Sequence, residues 1–287
     1  MVDGNEQPVI PSQNHGGNGP LITFVHANGY PPACYEPLIN QLKDQYKIIS
    51  IIQRPLWNNS NPNKISDWHI FSVDLIRFLD QQQIKITTAI GHSFGAIAAL
   101  RAAINHPDRF KALILIDPVL FSPAKIIAYR FIKSDFLIYH FQPLIKTALK
   151  RRKEFDDESQ IYNLYRTKKV FKYLDDDNLR TYVKGIITEN EQGKVILKYD
   201  PLWEARIYAT AIWNDMDLWG GINTIPIPIL FIRGEESNSF PLSSVKSLKN
   251  KLPRLNLVTL PMATHLVPLE YPHKVGSIIS KFLEENT

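Results

Sequence analysis

Six short runs of consecutive apolar, largely β-branched residues recur along the chain, separated by stretches in which apolar residues return every three or four positions. The runs are LITFVH (21–26), YKIISII (46–52), IKITTAIGH (84–92), KALILID (111–117), IPILFIR (227–233) and LNLVTL (255–260). Near-continuous apolar content over so few residues predicts strands covered on both faces, as in a parallel sheet. The amphipathic stretches 35–43, 67–82, 95–105, 241–251 and the one following Pro268 to residue 284 predict helices. Their alternation predicts a doubly wound, mostly parallel α/β sheet.

The alternation stops between the fourth and fifth runs. From Phe121 to Gly221 the chain carries aromatic-rich amphipathic segments such as SQIYNLYRTKKVFKYL and DPLWEARIYATAIW. These predict an inserted helical unit, with GKVILKY (193–199) as a short strand or an extended loop within it. The expected division is a core formed by 20–120 and 222–287, a helical cap over 121–221, and a mobile Gly/Asn-rich lead-in over 1–19.

Composition narrows the classes of function. The 287 residues, 44% hydrophobic and 21% charged, suffice for one large domain with a sizeable core. The net charge of +5 is not gathered into the basic, aromatic-interleaved stripe of a nucleic-acid binder. The one basic cluster, Lys150-Arg151-Arg152-Lys153, is followed by Glu154, Asp156, Asp157 and Glu158, and reads as a solvated face of opposite charges. The single cysteine, Cys34, rules out an intrachain disulfide. The first residues lack the basic and apolar regions of a signal peptide, and no apolar run approaches the roughly 18 residues that span a bilayer. A cytoplasmic protein without an integral membrane segment is expected, with no nucleic-acid partner and with no cofactor or metal.

The strongest local chemistry is AIGHSFGA. A β-branched strand ends at Gly91-His92-Ser93-Phe94-Gly95 and an alanine-rich helix begins at once. In such a G-x-S-x-G elbow a tight turn lifts the serine oxygen clear of the sheet, and a β-carbon at either glycine would strike the neighbouring strand or helix. Ser93 is therefore the candidate nucleophile. An acyl transfer also needs two fixed N–H donors for its oxyanion. Phe94 N–H supplies one. The loop His26-Ala27-Asn28-Gly29 supplies the other, with Asn28 N–H preferred and Ala27 next. A serine hydroxyl requires an adjacent base. Of eight histidines, His265 in PMATHLVPLEYP lies in the loop between the last strand and last helix, which opens at the same sheet edge as the elbow. His26 is expected to order its loop, and His92 to point away from Ser93.

These segments together, HANGYPPACYEPLINQL, GHSFGAIAALRAA, LILIDPV and ATHLVPLEYP, resemble the α/β-hydrolases. The HANG loop and the segments RRKEFDD and LKYDPLWEA are similar to a lipase- and esterase-like subgroup. The resemblance implies about eight mostly parallel strands and a helical cap over the site. It also implies a triad acid after IPILFIR, where Ser237 and Asn238 stand. Some members carry the acid one strand earlier, the slot that Asp117 occupies. Four possibilities stay open: Asp117, Glu236, Glu235, or no acid with Asn238 orienting the imidazole. The implied activity is cleavage of an apolar carboxylic ester of short to medium chain through an acyl-enzyme. Tyr129, Phe131, Phe136, Tyr139, Phe141, Trp203, Tyr208, Trp213 and Trp219 could line its pocket. The alternatives are a catalytically silent ligand-binding protein on this fold, and a serine-dependent acyltransferase or carbon–carbon hydrolase.

Overall fold

In the fifth strand, β5 (Phe110–Ile116), side chains alternate between two buried layers, Leu113 and Leu115 in one and Ala112, Ile114 and Ile116 in the other. That two-sided burial is why its apolar run is unbroken. The structure, a computed structural model, describes residues 8–130, 142–211 and 215–286. Among these residues the main sheet has seven strands: β1 (Ser12–Gly16), β2 (Leu21–Val25), β3 (Lys47–Ile51), β4 (Thr87–His92), β5, β9 (Ile229–Gly234) and β10 (Asn256–Leu260). Their order is β1-β3-β2-β4-β5-β9-β10. All neighbours run parallel except β1, which pairs antiparallel with β3.

Helices cover both faces. On one, α2 (His69–Gln81) and α3 (Phe94–Asn105) bury Phe71, Leu75, Phe78, Ile97 and Leu100. On the other, α1 (Glu36–Leu42) and the helix Pro272–Asn286 bury Leu38, Ile39, Leu42, Val275, Ile279 and Phe282.

The lead-in differs from expectation. Ser12–Gly16, assigned above to a mobile lead-in, is an edge strand paired with β3. It is anchored by the buried Ile10 and by a 2.8 Å bond between His15 Nε2 and Ser50 Oγ. An antiparallel edge strand solvated on one side carries no apolar run, so SQNHG gave no sign of it. With it the sheet has seven strands among the described residues, against the about eight implied. Residues 1–7 of that lead-in lie outside the described residues.

Between β5 and β9 stand α4 (Pro123–Arg130) and the helices Pro143–Leu149, Glu158–Arg166, Asp176–Ile186, Pro201–Ala209 and Met216–Gly221. A small antiparallel sheet joins them: β6 (Glu154–Phe155), β8 (Val195–Leu197) and β7 (Ile187–Glu189). GKVILKY therefore contains a strand. Three of these helices start on an aspartate cap: Asp157, Asp175 and Asp200 accept from the N–H of Gln160, Asn178 and Leu202. The basic cluster is not a uniformly solvated face. Arg151 turns inward onto Glu204 Oε2 at 2.7 Å and the hydroxyls of Tyr165 and Tyr182. The planar fork of the part-buried guanidinium thus finds three directed acceptors, which a loose surface pair would not supply. The insertion contacts the core through Trp68 Nε1–H on Ile207 O and Arg206 Nε–H on Ile65 O.

Candidate active site

Ser93 follows β4 directly and stands at the N-cap position of α3 with φ +57°, one of five non-glycine residues with positive φ among those described. Such strain persists only where the surroundings enforce it. Here Ser93 N–H donates to Ile116 O at 2.9 Å. The glycines beside it are sterically required: a β-carbon on Gly91 would lie 2.5 Å from Ala96 Cα, and one on Gly95 would lie 2.2 Å from Val25 O. Phe94 is locked edge-on between Trp68 and Phe71, with ring centroids 5.0 and 4.5 Å away.

Ser93 Oγ is 2.7 Å from His265 Nε2. On the far side of the ring, His265 Nδ1 is 2.9 Å from Asp117 Oδ1. A carboxylate only accepts, so Nδ1 carries the ring proton and Nε2 presents its lone pair to the Ser93 hydroxyl. Asp117 is fully buried at the end of β5, itself at positive φ (+39°). Its carboxylate also accepts from Gly234 N–H at 2.8 Å through Oδ2 and from the Ser237 hydroxyl through Oδ1.

The rival acids are not brought to the imidazole. Glu236 is exposed and binds Lys172 Nζ and Tyr173 Oη of the insertion, both at 2.5 Å; the bond with Lys172 leads in holding its pKa below the usual carboxylate value. Glu235 is exposed and accepts from Met262 N–H at 3.4 Å, and Asn238 is exposed. Ser237, at the expected acid position, contributes a hydroxyl to Asp117 instead.

The loop after β2 is fixed by its own polar groups. His26 Nε2 accepts from Gln53 N–H at 3.2 Å, so Nδ1–H donates to Ala27 O at 2.9 Å. Burial pulls this ring down to about 4, which keeps it neutral. Ala27 N–H is engaged by the Tyr35 hydroxyl at 3.2 Å. Asn28 N–H and Phe94 N–H have no acceptor among the described residues. The Asn28 side chain is held by the insertion: Tyr199 Oη–H donates to its Oδ1 at 2.7 Å, and its Nδ2–H donates to Glu204 O at 3.2 Å.

The loop that carries His265 is fixed by a residue with no motif of its own. Buried Glu270 accepts from Thr264 N–H at 2.7 Å and from Thr264 Oγ1 at 2.5 Å, and burial raises its pKa. The sequence offered only an unremarked glutamate followed by Tyr-Pro. Among the expected pocket aromatics, Trp203 and Trp219 are buried in the core cluster and Trp219 Nε1–H donates to Phe121 O at 2.9 Å. Tyr208 lies beside Glu204, and Tyr129 packs against the core cluster. Phe131, Phe136, Tyr139, Phe141 and Trp213 lie outside the described residues. Ser93 itself is only 5% exposed. Among the described residues no group of three His, Cys, Asp or Glu side chains is placed to hold a metal ion, and no helix is long and apolar enough to cross a membrane.

Comparison with known proteins identifies the family of the fold. Residues 14–272 match the model of the family described as alpha/beta hydrolase fold. The chain is 24% identical over 273 residues to a 2-(acetamidomethylene)succinate hydrolase of Mesorhizobium japonicum, across 93% of this chain and 89% of the relative. It is also 24% identical to a pimeloyl-[acyl-carrier protein] methyl ester esterase of Legionella pneumophila, across 94% and 97%. The crystal structure of an E-2-(acetamidomethylene)succinate hydrolase superposes with a TM-score of 0.74 over 95% of this chain and 94% of that one, at 20% identity.

Proposed function

The chain belongs to the alpha/beta hydrolase fold family, and on that premise we propose that it is a serine hydrolase that cleaves apolar carboxylic esters of short to medium chain. The observation that carries the reading is the hydrogen-bonded line from Ser93 Oγ through His265 to Asp117 Oδ1, with steps of 2.7 and 2.9 Å.

Ser93 Oγ attacks the ester carbonyl carbon as its proton passes to His265 Nε2. The buried Asp117 carboxylate stabilises the imidazolium that forms. The carbonyl oxygen becomes an oxyanion that accepts from Phe94 N–H and Asn28 N–H. Collapse breaks the bond to the alcohol oxygen, which takes the proton from Nε2. Water deprotonated by His265 then attacks the acyl-enzyme, and the acid departs as Ser93 regains its proton. The insertion serves as the cap. The half-buried Tyr30, backed by the buried Tyr182 ring at 5.1 Å, is the aromatic surface nearest the oxyanion loop for the acyl or alcohol group. The absence of an acid at positions 237 and 238 gives no support to a silent binder, because Asp117 stands at the imidazole.

The test is fluorophosphonate labelling followed by turnover of nitrophenyl esters of increasing chain length. Labelling at Ser93, its loss in S93A and a rate maximum at short to medium acyl chains are expected. No labelling and no turnover would leave a binding protein. Faster cleavage of a β-diketone, or transfer to an added alcohol in place of water, would reassign the chemistry.

A further inference from the structure

His92 occupies the variable position before the nucleophile, where the attack itself requires no particular side chain, yet it is fully buried and both of its ring nitrogens are engaged. Nε2 lies 2.9 Å from the His265 carbonyl oxygen, which can only accept, so Nε2 carries the proton. Nδ1 is then a lone pair, 2.7 Å from the Tyr35 hydroxyl, which must donate to it. The Tyr35 oxygen keeps a lone pair for Ala27 N–H at 3.2 Å. Every proton in this line therefore has one position. It runs from the oxyanion loop, through Tyr35 and His92, to the main chain of the residue that carries the base. Burial, followed by the proximity of His265, holds the His92 pKa well below its ordinary value, so the line stays uncharged. Ring packing restricts it further: Tyr35 lies between Phe24 at 4.8 Å and His92 at 5.7 Å, and the rings of His92 and His265 are 5.1 Å apart.

We propose that Tyr35 and His92 are positioning residues: a neutral hydrogen-bonded strut that sets the oxyanion loop and the His265 backbone against each other across Ser93. The inference rests on the reading of Ser93 and His265 as nucleophile and base. The strut has two effects. It occupies Ala27 N–H, leaving Asn28 N–H as the loop's donor to an oxyanion. It also fixes the height of the His265 main chain, and with it the 2.7 Å approach of Nε2 to Ser93 Oγ. A buried polar line whose members are all satisfied rigidifies its surroundings, whereas one with a missing member leaves donors and acceptors unpaired. Misplacement of reacting groups by about an ångström costs on the order of a hundredfold in rate.

The experiment compares wild type with Tyr35→Phe, His92→Ala and His92→Gln. Nitrophenyl acetate turnover is divided by the number of active sites titrated with a fluorophosphonate, so that any unfolded fraction drops out. Expected are a kcat per titrated site about tenfold lower in Y35F and about a hundredfold lower in H92A, with KM within about threefold of wild type. H92Q should recover most of the loss, because its amide can donate to the His265 carbonyl and accept from Tyr35. A per-site kcat within twofold of wild type in Y35F and H92A would overturn the strut, as would H92Q being as impaired as H92A. A wild type that fails to label at Ser93 would overturn the hydrolase reading, and the strut with it.

Discussion

Asp117 and His265, 148 residues apart in sequence, meet through a 2.9 Å hydrogen bond between a fully buried carboxylate and an imidazole that reaches Ser93. The two share one edge of the sheet because β5, ending before Asp117, runs parallel to β9, and β10, ending before the His265 loop, runs parallel to β9 on its other side.

The acid is tested by a pair of substitutions. Asp117→Asn should lower kcat by about 10³ to 10⁴-fold, because the imidazole loses both its enforced tautomer and its countercharge. Glu236→Gln should stay within about twofold, since that carboxylate pairs with Lys172 and Tyr173 at the surface. Ester turnover with circular dichroism as a fold control decides it; the reverse ranking would move the acid to the loop after β9.

The oxyanion loop's dependence on the insertion is tested by Tyr199→Phe. Loss of the 2.7 Å bond to Asn28 Oδ1 should loosen the donor loop and lower kcat about tenfold, on the scale of a modest misalignment. An unchanged kcat with altered KM would confine Tyr199 to substrate admission.

His26 makes stability depend on pH with a definite sign. Its folded pKa, about 4, lies below the ordinary 6.5 because of burial. The unfolded chain therefore takes up a proton between those values that the native state refuses. The stabilisation by neutral His26 is complete above pH 6.5 and is lost as pH falls toward 4. Urea unfolding of wild type and His26→Gln should show a stability difference that shrinks by about 2 kcal/mol between pH 7 and pH 5. Parallel curves would show that His26 is protonated in the native state.

Two glycines should behave in opposite ways. Gly95→Ala would force a β-carbon to 2.2 Å from Val25 O and should cost several kcal/mol or prevent folding. Gly220→Ala meets nothing within 4 Å and should be neutral or stabilising by up to about 1 kcal/mol. Thermal midpoints check both; a tolerated G95A would contradict the close approach of helix and strand.

Several of these features are legible in the amino-acid sequence alone. The six apolar runs became β2, β3, β4, β5, β9 and β10, each because parallel strands buried on both faces leave a continuous signal. The elbow around Ser93 was equally plain, since its glycines are demanded by local sterics. By contrast β1 was invisible, because a half-solvated edge strand is polar, and Arg151 looked like one member of a surface charge cluster until Glu204 was brought beside it.

The sequence by itself determined the parallel α/β core, the strained serine at the strand–helix turn and the imidazole loop at the same sheet edge, because each is encoded in a few adjacent residues. It left four possibilities for the acid, since the choice depends on which side chain reaches His265 Nδ1. Only the tertiary structure decided that placement: Asp117 lies under the imidazole with Gly234 N–H and Ser237 Oγ donating to its carboxylate, while Glu235 and Glu236 face away. It likewise decided that Tyr35 and His92 join two loops distant in sequence. Such pairings follow from strand order and burial, which no short stretch of residues carries.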